Sequence, residues 1–77
     1  AVTLDERRVR SYAEQRGLTA READVLWLIC QGRSRPYIAQ ELGISPNTVK
    51  GYAHSVYQKC AVDNKQDLLD QVHAHLT

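Results

Sequence analysis

The chain has 77 residues and a net charge of +1, ten Lys and Arg against nine Asp and Glu. A single domain of this size buries roughly 60–65% of its unfolded surface, which excludes a deep substrate pocket with the layers that would rigidify it. The longest purely apolar run, Val25 to Cys30, is far shorter than the ~20 residues of a membrane span, and no signal-peptide pattern opens the chain. Ala1 leads a sequence without Met, so a piece of a longer protein is expected.

Apolar residues recur every three to four positions, Gly and Pro punctuate them, and five helices are predicted. The first runs from about Leu4 to Gln15, with Leu4, Val9 and Tyr12 or Ala13 as a weak stripe, and Gly17 ends it. Thr19 and Glu22 form the T-x-x-E capping box of the second, which carries Val25, Leu26, Leu28 and Ile29 and stops at Gly32. The third is short, with Pro36 in its first turn, Ile38, Ala39 and Leu42 inward, and Gly43 as its stop. Ser45 caps the fourth and Pro46 opens it; Val49, Ala53, Val56 and Cys60 then make one buried stripe. The fifth starts near Asp63 or Asn64 and holds Leu68, Leu69, Val72 and Leu76. The fold class is all-α: a small bundle of four core helices preceded by an N-terminal helix. Residues 1–17 read as helix and linker from an upstream region, and residues 18–77 as the domain proper.

Charge divides unevenly along these elements. Residues 1–30 hold five Arg and five acids; residues 31–62 hold Arg33, Arg35, Lys50 and Lys59 against Glu41 alone; residues 63–77 set Lys65 against Asp63, Asp67 and Asp70. No acid stands between Glu41 and Asp63, which suits a phosphate backbone. Arg33 and Arg35 precede and open a helix whose N–H groups also point outward, a natural place for phosphate.

Leu42-Gly43-Ile44-Ser45 joins a short helix to a longer one in the pattern of a helix-turn-helix. Gly43 takes the positive φ of a tight reversal, Ile44 plugs the corner, and small Ala39 lets the helices approach. With Val49, Ala53 and Val56 inward, the residues left outside are Thr48, Lys50, Gly51, Tyr52, His54 and Ser55, a polar, acid-free face suited to the major groove.

The residues Leu18-Thr19-Ala20-Arg21-Glu22, Val25-Leu26, Gly32-Arg33-Ser34, Ile38-Ala39, Leu42, Ile44-Ser45, Thr48-Val49-Lys50, Lys59, Val62 and Leu68 resemble the LuxR/GerE-type helix-turn-helix over about residues 18–72. The resemblance implies a cytoplasmic bacterial regulator's output domain that binds double-stranded DNA, with helix 46–60 in the major groove and an upstream sensor domain. It implies base contacts from Lys50, Gly51 and His54, and phosphate contacts from Asn47, Thr48 and Lys59. Tyr52, where the family commonly carries His, joins Arg33 and Arg35 as a further phosphate candidate. The last helix corresponds to the family's dimer contact, giving Leu69, Val72, His73 and Leu76 as interface candidates, with RNA polymerase a further partner. Three further departures stand beside Tyr52: Gly51 lacks the usual side chain, Arg35-Pro36-Tyr37 replaces a polar-acidic stretch, and Lys65 and Asp67 replace a common Arg and Glu.

Two other readings stand beside this one. A sigma-factor region-4 domain carries a similar turn, although the segment from Lys59 to Leu69 leads here into a further amphipathic helix. The low net charge and Gly51 also fit an interaction module that has lost DNA binding. Catalysis is not expected: G-x-S-x-G, a P-loop, paired inward carboxylates and a Cys–His pair are all missing. Cys30 and Cys60, thirty positions apart, read as buried apolar residues of a cytosolic protein. His73 and His75 face different ways on one helix, so neither a metal nor a cofactor is expected. Trp27 reads as packing beneath the first helix, or as an exposed aromatic facing the upstream domain.

Overall fold

Each helix begins where a short polar side chain satisfies amide groups that the helix itself leaves unpaired. The computed structural model describes residues 5–76, Leu76 by its backbone alone; the predicted stripe position Leu4 lies outside the described residues. Asp5, Thr19, Ser34 and Ser45 cap α1 (Glu6–Gln15), α2 (Ala20–Cys30), α3 (Arg35–Leu42) and α4 (Pro46–Lys59), each accepting from the amide three residues on. Thr19 and Glu22 complete the reciprocal box. Asn64 Oδ1 accepts from Asp67 N at 2.9 Å ahead of α5 (Lys65–Leu76).

The ends of α1 to α4 share one device. An amide reaches back five residues, Leu18 to Ala13, Arg33 to Leu28, Ile44 to Ala39 and Val62 to Tyr57, at 3.0–3.1 Å. This closure needs a left-handed residue just before the donating amide. Glycine fills that place three times, but at the end of α4 it is Ala61, with φ of 57°. No sequence signal marked that stop.

The described residues are all-helical. α2 packs on both α1 and α4, α3 packs on α4, and α5 packs on α1. One core joins them, with Leu26 of α2, Ile38 of α3, Val49 and Val56 of α4 and Leu68 of α5 all buried. The N-terminal helix belongs to this core: Val9, Tyr12 and Ala13 are buried in it. The Tyr12 hydroxyl donates to Gln71 Oε1, and its ring meets that of His75 edge-on at 4.9 Å. Trp27 is half-buried against the core and shares a groove wall with Glu6 and Arg10 of α1, near the first of its two expected settings. No helix among the described residues is long and apolar enough to cross a membrane.

Candidate nucleic-acid interface

The reversal between α3 and α4 takes three residues, and each has a distinct job. Gly43 adopts φ 67°, ψ 36°, a conformation that a Cβ would oppose. Ile44 is half-buried and packs against the core, fixing the corner. Ser45 Oγ accepts from Thr48 N at 3.1 Å and lies 2.9 Å from Thr48 Oγ1, so the cap also orients the first turn of α4.

That turn sets the rotation of α4. Val49, Ala53, Val56 and Cys60 are buried, which leaves Asn47, Thr48, Lys50, Gly51 and His54 exposed on the other side. Gln58, one turn beyond His54, is exposed with them; its i+4 spacing was the available signal. Lys50 and His54 make no ion pair among the described residues.

Two grooves flank this face. Thr19, Glu22, Thr48, Gly51, Tyr52 and Ser55 line an open groove of about 380 Å³ between the start of α2 and α4. Tyr52 is half-buried there. A cleft of about 200 Å³ opens on the other side of α4, where Arg33, Arg35 and Lys65 share the lining with Ile38, Val49 and Tyr57. Arg33 also lays its guanidinium over the Tyr37 ring, 4.6 Å from the centroid.

Lys59 is engaged inside the molecule. Its Nζ donates to Glu22 Oε1 at 2.7 Å and to the Gly17 carbonyl at 3.3 Å. Glu22 is only 5% exposed. The Lys59 ammonium, helped by the Thr19 amide, holds its carboxyl below the usual carboxylate range. Sequence spacing does not link residues 22 and 59, so the clamp was illegible before the fold.

The interface candidates of α5 separate in the structure. Leu69 is half-buried and His73 exposed, whereas Val72 is 0% exposed and completes the chain's own core with Leu68. Val72 therefore has no surface to give a partner, a correction to its place among the interface candidates; the α1–α5 packing turns it inward. The Leu76 side chain lies outside the described residues.

Comparison with known proteins adds a family. The model of the bacterial regulatory proteins of the luxR family (GerE) matches residues 16–72. The transcriptional regulatory protein DesR of Bacillus subtilis is 41% identical over 54 residues, 70% of this chain and 27% of DesR. The HTH-type transcriptional regulator MalT of Yersinia enterocolitica is 43% identical over 54 residues, again 70% of this chain but 6% of MalT. The chain thus spans less than a third of the length of these curated relatives. No solved structure gives a significant match.

Proposed function

The chain belongs to the luxR family of bacterial regulatory proteins, and from that premise we propose that it binds double-stranded DNA as the output domain of a transcription regulator. The observation that carries this reading is the rotation of α4: its apolar stripe is buried and its acid-free side, with Lys50 and His54, faces solvent. A helix presented this way fits the major groove, where Lys reads guanine O6 and N7. Lys50 and His54 read base edges in this proposal and Gly51 brings its backbone to them, while Thr48, Asn47, Tyr52, Arg33 and Arg35 position the duplex through phosphates. Lys59 has two donors committed to Glu22 and Gly17, which leaves one for a phosphate.

The likeness to DesR and MalT, both transcriptional regulators, supports the same assignment. We extend it to a homodimer on two-fold-related half-sites, meeting through Leu69, His73 and Leu76 of α5, in a cytoplasmic regulator with an upstream sensor domain and RNA polymerase as a further partner. In this proposal residues 18–77 carry the DNA-binding part, and α1, within residues 1–17, is packed into the same core while leading in from upstream.

The test is Lys50→Ala, titrated by fluorescence anisotropy against a duplex selected from a random library and against its scrambled counterpart. Affinity for the selected duplex falls by roughly 1–3 kcal/mol and the preference over the scrambled one narrows. An unchanged ratio removes Lys50 from base reading. A parent chain that enriches no sequence from the library removes the function.

A further inference from the structure

Gly51 stands in the middle of α4, and nothing inside the protein asks for a glycine there. Gly17, Gly32 and Gly43 adopt φ between 67° and 78°, a region that a Cβ opposes. Gly51 is not among them and simply continues the helix. Beyond its chain neighbours and its own helix backbone, a Cβ at Gly51 would meet no atom within 4 Å. Close packing therefore does not exclude a side chain. Alanine would fit the fold and serve the helix better, because glycine is the poorest interior helix residue after proline.

The rotation of α4 shows where this bare backbone points. Val49, Ala53 and Val56 are buried. Gly51 lies two residues from Val49 and two from Ala53, a turn of about 200° either way, so it stands almost opposite the buried stripe. It is the crest of the outer side, with Lys50 and His54 on one shoulder and Thr48 and Ser55 on the other. Asn47, one turn before it, and Gln58, two turns after it, continue the crest and are exposed. Side chains add about 3 Å to the radius of a helix backbone, so the crest is notched at Gly51.

We propose that this notch sets how deeply α4 enters the major groove, and that Gly51 is a positioning residue for sequence discrimination. The proposal rests on the DNA-binding reading and adds a steric determinant to it. A helix with its side chains is about 10–12 Å across and the major groove about 12 Å wide, so the crest meets the base edges first. A side chain there holds the whole helix off that floor, and a bare crest lets it settle. Depth matters most to His54, whose side chain is shorter than that of Lys50. Lys50 reaches outward from several depths, but the imidazole meets a base only when the helix is close. Binding that rests on phosphates alone does not need the full depth.

The 77-residue chain and its Gly51→Ala and Gly51→Leu variants are titrated with the selected and scrambled duplexes, and their thermal midpoints are measured. Both substitutions raise the midpoint, Gly51→Ala by roughly 4–8 °C. Affinity for the selected duplex nevertheless falls, by roughly tenfold in Gly51→Ala and further in Gly51→Leu. Affinity for the scrambled duplex and its salt dependence stay as in the parent, so the preference narrows. Gly51→Ala that binds the selected duplex as tightly as the parent overturns the notch while DNA binding stands, and so does an equal loss on both duplexes. A midpoint that falls on substitution overturns it too, because the glycine then serves the fold. A parent that enriches no sequence overturns both readings.

Discussion

Replacing Lys59 with Met separates two roles for this residue, a clamp within the fold and a contact to phosphate. Glu22 is 5% exposed, and its Oε1 receives Lys59 Nζ at 2.7 Å and Thr19 N at 2.8 Å. Removing one partner of a fully buried pair costs about 3–5 kcal/mol. The Lys59 side chain is 38% exposed, so water recovers part of that loss. The expected cost is therefore nearer that of a hydrogen bond to a charged group, about 2 kcal/mol. For a domain of this size that lowers Tm by roughly 8–16 °C. Glu22→Gln keeps an acceptor for the Thr19 amide and loses only the charge, so it costs about 1 kcal/mol, and the two changes are non-additive in a double-mutant cycle.

The clamp also fixes a pH dependence. Because the folded state depresses the Glu22 pKa, the stabilisation is fully present above the ordinary value near 4.5 and is lost as pH falls through the folded value. Denaturant melts of parent and Lys59→Met should differ at neutral pH and converge in stronger acid. Melts that agree within about 0.5 kcal/mol at neutral pH, or a gap that persists unchanged in acid, refute the clamp. Loss of DNA affinity with an unchanged Tm would assign Lys59 to phosphate alone.

Other consequences follow from the core. Tyr12 is 0% exposed and ties α1 to α5, so Tyr12→Ala destabilises the chain by about 3–5 kcal/mol in a denaturant melt; a loss under about 1 kcal/mol would mean that α1 is dispensable. Burial, with Cys60 nearby, pushes the Tyr12 phenol up to about 12, so the stability tied to its neutral form holds below the ordinary value of 10.0 and drains away as pH rises towards the folded value. Ultraviolet titration should show one tyrosine ionising only near there. Burial likewise raises the Cys30 thiol to about 12 and the Cys60 thiol above its usual range. Both should resist a thiol reagent until denaturant is added, and fast labelling of Cys60 in the native state would contradict its burial.

Short-range chemistry made most of the secondary structure legible. Thr19 with Glu22, Ser45 with Pro46, and glycines at 17, 32 and 43 are instructions that act within one turn, and the structure follows them. The period of Val49, Ala53, Val56 and Cys60 likewise fixed which side of α4 looks outward, because any packing partner must bury that stripe. Ala61 escaped because alanine rarely takes positive φ; the bonds from Ala61 N to Gln58 O and from Val62 N to Tyr57 O close the turn around it.

Contacts between distant residues were decided by the tertiary structure. Glu22 and Lys59, Tyr12 and Gln71, and the cleft that unites Arg33 and Arg35 with Lys65 join residues 30 or more positions apart. The apolar pattern of α5 could not tell a core position from a dimer contact; Val72 is buried in the core of a fold in which α5 packs on α1. Periodicity names the face of a helix that must be covered. What covers it is settled by how the helices cross, and no spacing within one segment encodes that.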